Sequence, residues 1–451
     1  MRRRVSTLCL LACAGLLAVA GAAAENRIDR VRPDAPELAG YGSFAIGVRT
    51  LQFVNPGQLD IVRAKSGEPL PTYDRPLTVE AWYPAVRPAA PPARRTDGLG
   101  PGEYRTVARD PRRSVVLQGR ALRDAAPDAQ GGPYPLVILS HGYPGNRHLL
   151  SPLAESLASR GYVVASIDHT DSTYSDQATV ASTLLHRPLD QLFVLMAMDR
   201  LNAGDAADAA GGALKGMVDA ERTALVGYSM GGYGAINAVG GGLTAASAQL
   251  PLAPAGGALA RRQAGHPDYL ASMEPRIKAV IAMAPWGWNA GLWDAAGLAG
   301  IRTPVFYVAG SADDVSGYSP GVRNLFEATV NAPRYLLTFE NAGHNAAGPM
   351  PAPAETWAPV PHLPVVPAAH YLDAVWDTVR MNNIAQHFAA AFLGRYLRGD
   401  AAMEAYLKLV EHARDGRWSA APDGSFKADH TYWKGFPRRT AVGLRLEARR
   451  P

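Results

Sequence analysis

Along this chain, short uninterrupted apolar runs alternate with longer stretches in which apolar residues recur every three or four positions. The runs read as strands buried on both faces and the stretches as amphipathic helices, so the alternation predicts a mostly parallel sheet covered by helices, the α/β class. Strands are expected over 135–140, 162–168, 223–227, 277–282, 305–310 and 335–340, with helices near 149–160, 188–203, 230–239 and 321–330. Two earlier runs, 45–53 and 77–83, read as antiparallel strands at the edge of the same sheet. Between 371 and 397 the spacing of Val375, Val379, Ile384, Phe388, Phe392 and Leu397 predicts an amphipathic closing helix, broken near its start.

Three stretches resist the alternation, 87–129, 240–269 and 345–369, and read as insertions into one elaborated domain. The last carries seven prolines between Pro349 and Pro367, whose missing N–H groups exclude a regular strand or helix. Long connections of this kind are often functional lids, with a solvated decoration as the equal alternative. At the other end, Arg2, Arg3 and Arg4 head an apolar run from Leu8 to Ala20 that closes in small residues before Glu25. That is the layout of an export signal cleaved after Ala24, which leaves 25–451 as a periplasmic or secreted domain. The run is short for a spanning helix of about 20 residues, which speaks against an uncleaved anchor. It also continues past Cys13, which ranks a lipoprotein reading lower. The arginine triplet leaves the export route open between the general and the twin-arginine pathways.

Composition narrows the class further. With 47% apolar residues, 19% charged residues, 45 glycines and 36 prolines, the chain of 451 residues can bury a large core and carry long irregular connections. Disorder, coiled coil and fibre are excluded as the main state. Both cysteines, Cys9 and Cys13, fall inside the export segment, so the mature protein is expected to have no thiol and no disulfide. Part of the formal charge of +5 belongs to the three arginines of that segment, and no basic run is interleaved with aromatics elsewhere. Nucleic-acid binding is therefore not supported. The histidines show no metal-ligand spacing, and no glycine-rich nucleotide loop is present, so neither a metal nor another cofactor is expected.

The strongest chemical signal is Gly227-Tyr228-Ser229-Met230-Gly231, which follows an apolar run and precedes a helix of small residues. That context makes Ser229 a candidate nucleophile on a sharp strand-to-helix turn. A serine hydroxyl needs a base and the base needs an orienting carboxylate. The chain supplies Ser311-Ala312-Asp313-Asp314 after the strand at 305–310, and Asn341-Ala342-Gly343-His344 after that at 335–340. Asp313 is preferred as the acid, with Asp314 as the fallback, and His344 is the expected base. Negative charge on a tetrahedral intermediate calls for two N–H donors. Met230, next to the serine, and Tyr143, in the loop His141-Gly142-Tyr143-Pro144-Gly145 after the first buried strand, are the candidates for this oxyanion hole.

The order Ser229, Asp313, His344 is that of the α/β-hydrolase fold. Together with the stretch Leu77 to Pro84, the His141 to Gly145 loop and the Asp168-His169 pair, the elbow resembles the exported α/β-hydrolases related to dienelactone hydrolase and platelet-activating-factor acetylhydrolase. The resemblance implies hydrolysis of a small or lipid-like carboxylic ester through a serine triad. It departs from true dienelactone hydrolases, which carry a cysteine where Ser229 stands. More weakly, Ser229-Met230-Gly231-Gly232 and Ala284-Pro285-Trp286 resemble cutinases and polyester hydrolases. In that reading Trp286 forms a wall for the substrate, and His169 is a further candidate for lining the pocket, alongside a hydrogen-bonded structural role. A polyester enzyme should expose Trp286 in an open groove, whereas a small-ester enzyme should bury it under the proline-rich insertion. A secreted peptidase or amidase would share the triad but needs a charged anchor that the sequence does not reveal. A non-catalytic module with this fold would commonly have lost a triad member.

Overall fold

The computed structural model describes residues 25–65, 67–90, 93–205 and 212–451. The expected export segment, 1–24, lies outside the described residues. The principal strands are β1 (Ala45–Leu59), β2 (Thr72–Ala85), β3 (Tyr134–Ser140), β4 (Val163–Asp168), β5 (Val218–Tyr228), β6 (Ile277–Met283), β7 (Val305–Gly310), β8 (Arg334–Phe339) and β9 (Leu444–Arg449). With the two-residue piece Leu122–Arg123 beside β1, they make one ten-stranded sheet in the order β9-β8-β7-β6-β5-β3-β4-β2-β1. From β4 through β8 the neighbours run parallel. The pairs β1 with β2, β2 with β4, and β8 with β9 are antiparallel.

The apolar runs locate the parallel strands well, because each is buried on both faces. Alternate residues of β3 show this: Val137 and Leu139 join one hydrophobic cluster, Leu136 and Ile138 the other. The first cluster is covered by α1 (Ser151–Ala158) and the closing helix α5 (Thr378–Leu397), the second by α2 (Val180–Ala203), α3 (Met230–Ala238) and α4 (Arg323–Ala328).

Four differences from the sequence reading have physical causes. β5 begins at Val218, five residues before the apolar run, and a register shift lets its polar start pair with Tyr134 and Pro135 of β3. α2 begins at Val180 and runs through Pro188, a residue that normally interrupts a helix. Pro188 has no N–H for the carbonyl of Leu184, and that oxygen instead accepts from Tyr233 Oη of α3 at 2.8 Å. β9 carries too many charges for an apolar-run signal; its Glu447 is held by Arg323 of α4 at 2.6 Å. Finally, the stretch 87–129 is not irregular throughout. It contains Glu103–Val107 and Ser114–Gln118, which pair antiparallel and form a small second sheet with Asn26–Arg27.

Candidate active site

The parallel strands deliver several loops to one edge of the sheet, their carboxyl ends, which is where open α/β sheets gather their reactive groups. Ser229 sits immediately after β5, with φ +54° and ψ −115°. This is a costly conformation for a residue with a Cβ, held by a Ser229 N–H bond to Met283 O of β6 at 2.8 Å and by Tyr233 N–H to Ser229 O at 3.0 Å. The tight turn also explains the flanking glycines. A Cβ on Gly231 would stand 2.0 Å from the Ser140 carbonyl oxygen, so no side chain fits between elbow and β3.

Ser229 Oγ lies 3.0 Å from His344 Nε2. On the far side of the imidazole, His344 Nδ1 is 3.0 Å from Asp313 Oδ2 and 3.1 Å from Oδ1. Asp313 leaves the end of β7 and His344 follows β8; the two loops are tied by Ala312 N–H donating to Ala342 O at 2.9 Å. Burial alone would raise the Asp313 carboxyl, but its bond to His344 and the N–H groups of Val315 and Ser316, both at 2.9 Å, hold it below the usual carboxylate range. Asp314, one residue on, is exposed and makes no hydrogen bond or ion pair with His344 among the described residues. Two neighbours not assigned a role from the sequence also frame the imidazole. The Tyr228 ring packs 5.3 Å from it, and Tyr228 Oη donates to Asn345 Oδ1 at 2.7 Å. Ser316 Oγ approaches Nδ1 at 3.5 Å while donating to Ala284 O at 2.7 Å.

Of the expected oxyanion donors, Met230 directly follows the serine and Tyr143 lines the same cavity. Met230 is the first residue of α3, where a helix has no internal acceptor for its N–H. Among the described residues neither the Met230 nor the Tyr143 N–H donates to a protein acceptor. The loop carrying Tyr143 is braced from below by Arg187 of α2, whose Nη1 donates to His141 O at 2.6 Å and whose Nη2 reaches Ser172 Oγ. Burial pulls the Arg187 guanidinium down to about 9. His169 belongs to this buried layer and does not line the cavity at Ser229, which corrects its candidacy as a pocket residue. Its Nε2 meets Ser140 Oγ at 2.8 Å and its Nδ1 meets Asp190 Oδ2 at 2.9 Å, so both ring nitrogens are occupied.

Above Ser229 and His344 lies a cavity of about 630 Å³, within the range of small-ligand sites. Tyr143, Asp314 and Arg109 line it, together with the proline-rich segment from Leu363 to Pro367. The insertion 345–369 is anchored toward its two ends: Asn345 Nδ2 donates to Ala369 O at 3.1 Å, and Asn382 Nδ2 to Pro349 O at 2.9 Å. The insertion 345–369 is thus a wall of the cavity. The stretch 87–129 contributes Arg109, and 240–269 contributes no lining residue. Trp286 is half-buried and packs against the second hydrophobic cluster; it is not part of the cavity wall, so the aromatic wall expected of it is not found. Its contact with the elbow is through its main chain, the Trp286 N–H reaching Ser229 O at 3.3 Å. No described helix is long and apolar enough to cross a membrane.

Comparison with known proteins agrees with this architecture. Residues 119–193 match the family model of platelet-activating factor acetylhydrolase, isoform II. Over 241 residues, 51% of this chain, it is 25% identical to cutinase 2 of Thermobifida cellulosilytica and covers 71% of that protein. Cutinase cut1 of Thermobifida fusca is likewise 25% identical, with 59% of its length covered, and cutinase est2 of Thermobifida alba is 27% identical, with 62% covered. A solved ferulic acid esterase from Streptomyces cinnamoneus superposes with a TM-score of 0.55 at 21% identity, over 83% of this chain and 94% of that one. Together with the sheet order, these matches support an ester-hydrolysing serine hydrolase of the α/β-hydrolase fold, of the platelet-activating-factor acetylhydrolase and cutinase kind.

Proposed function

We propose that the protein hydrolyses carboxylic esters through Ser229 as nucleophile, His344 as general base and Asp313 as the group that orients the imidazole and stabilises the imidazolium formed when it takes the serine proton. The observation that carries this reading is the continuous line from Ser229 Oγ through His344 to Asp313, with 3.0 Å at each step, opening into a cavity. His344 Nε2 takes the Ser229 proton as Oγ attacks the ester carbonyl, and the oxyanion rests on the Met230 and Tyr143 N–H groups. The imidazolium returns the proton to the leaving alcohol. Water, activated by the same nitrogen, then cleaves the acyl-enzyme.

A small ester suits the walled cavity. A second reading, polyester hydrolysis, is favoured by the cutinase matches. A chain-length series of p-nitrophenyl esters, a polyester film and a peptide amide test both readings. Turnover of the soluble esters with the film and amide untouched supports the first, and release of soluble product from the film supports the second. Failure on every ester, in protein that binds no fluorophosphonate, would overturn the assignment. The proposal extends to export: N-terminal sequencing of the protein recovered outside the cytoplasm should begin at Glu25.

A further inference from the structure

Within the wall of the Ser229 cavity one cation stands out. Arg109 is half-buried and lines the cavity, and among the described residues its guanidinium forms no ion pair. Its position is fixed from the main chain, where the Arg109 N–H donates to Tyr371 Oη at 3.0 Å. The nearest carboxylate in sequence is committed elsewhere: Asp110 is shared by Arg112 at 3.2 Å, Arg113 at 3.7 Å and His362 at 3.3 Å. The two carboxylates that also line the cavity do not neutralise Arg109. Asp373 accepts the N–H groups of Gly343, Val375 and Trp376 at 2.7 to 2.9 Å, and Asp314 faces solvent. His370 also lines the cavity; burial first and the charge of Arg109 second push its imidazole down to about 3, so it stays neutral and adds no competing cation. Leu363, Val365 and Val366 give the same cavity an apolar part of its wall.

An arginine in the wall of a cavity of mixed polar and apolar lining, with no ion-pair partner among the described residues, is poised for a planar anion, to which its fork of N–H groups donates in pairs. We infer that Arg109 anchors a free carboxylate on the substrate, so that the ester cleaved at Ser229 is an acidic one, such as a half-ester of a dicarboxylic acid. This rests on the ester-hydrolase reading above. The apolar lid segment then packs on the carbon skeleton while Arg109 fixes the end remote from the scissile bond.

The test uses matched pairs of esters. In one pair the carboxylate is on the acyl part: p-nitrophenyl hydrogen glutarate against p-nitrophenyl 5-methylhexanoate, whose isopropyl group replaces it. In the other it is on the leaving group: 4-acetoxybenzoate against 4-isopropylphenyl acetate. The expected result is that the wild-type protein prefers the acidic member of at least one pair. In Arg109→Met the acidic-to-neutral ratio of kcat/KM for that pair should fall about tenfold or more through KM, while Arg109→Lys recovers part of it. Half-molar salt should shrink the wild-type preference in the same direction, a readout that needs no variant. No acidic preference in either pair, or a ratio that is the same in Arg109→Met and wild type, overturns the proposal while turnover of the neutral esters leaves the hydrolase reading standing. Failure of the wild-type protein on all four esters would instead remove the hydrolase reading and this inference with it.

Discussion

The molecule holds two serine, histidine and aspartate relays with nearly the same dimensions. Ser229, His344 and Asp313 are linked at 3.0 Å and 3.0 Å; Ser140, His169 and Asp190 are linked at 2.8 Å and 2.9 Å. Hydrogen-bond length alone would rank the second above the first. Their surroundings separate them. Ser140 is the last residue of an ordinary strand and is 1% exposed, whereas Ser229 stands on a strained elbow in the wall of a cavity that Tyr143 also lines, and among the described residues no protein acceptor takes the Met230 or Tyr143 N–H. Asp190 is clamped by Arg75 at 2.8 Å and 3.0 Å, which holds its carboxyl far below the usual range against the burial that would raise it. Burial and the charge of Arg187 push His169 down to about 3, too weak a base to take a serine proton near neutral pH. A relay becomes a candidate catalyst through access, an activated backbone and empty donors. The same three side chains without these tie β3, β4 and α2 together beside the His141 to Gly145 loop.

The largest expected effect lies in the first relay. Ser229→Ala should lower ester turnover by about 10⁶ while leaving the fold intact, by analogy with removal of a serine-protease nucleophile. Ser140→Ala should keep turnover within about a factor of ten of wild type and instead lower unfolding stability by about 1 to 3 kcal/mol, the cost of an unpartnered buried group. Comparable turnover losses in the two variants would break the comparison. Next in size, Asp313→Asn should cost about 10⁴ in kcat, with Asp314→Asn far milder; steady-state kinetics decides, and the reverse order would move the orienting role to Asp314.

A smaller effect, on stability, should follow from Asp190→Asn. It leaves Arg75, 1% exposed, with Asp171 at 2.9 Å as its remaining carboxylate and should cost about 1.5 to 3 kcal/mol in denaturant unfolding, with KM for a neutral ester changing little. A test without any variant uses pH. His169, depressed to about 3 when folded, has an ordinary value near 6.5 when unfolded, so between these the unfolded chain binds more protons. Stability from this group is therefore complete above about 6.5 and declines as pH falls toward about 3. His370 and His387, also pushed down to about 3, act in the same direction. Urea midpoints that stay flat from pH 7 to 4 would contradict neutral burial of these imidazoles.

The proposed reactive residues were legible in the chain because each follows a strand that announces itself as an apolar run: Ser229 after β5, Asp313 after β7, His344 after β8. The parallel strands and the closing helix were legible for the same reason. What could not be read is whatever the fold brings from elsewhere. Asp190 and Arg187 lie in the middle of a helix, where charged residues normally face water, and only burial of α2 against β3 and β5 turns them inward. Arg109 comes from an insertion whose strands pair with each other and with the first residues of the described chain, a long-range pairing without a local signature. His169 and Trp286 were good candidates by position after a strand. The first is sealed by Ser140 and Asp190, and the second turns its ring toward the core.

The most direct test labels the wild-type protein with a fluorophosphonate and locates the adduct by peptide mass spectrometry. A single phosphonylated residue at Ser229, lost in Ser229→Ala and retained in Ser140→Ala, is the expected result. An adduct on Ser140, or none on a folded protein that still cleaves p-nitrophenyl esters, would contradict the assignment of the nucleophile.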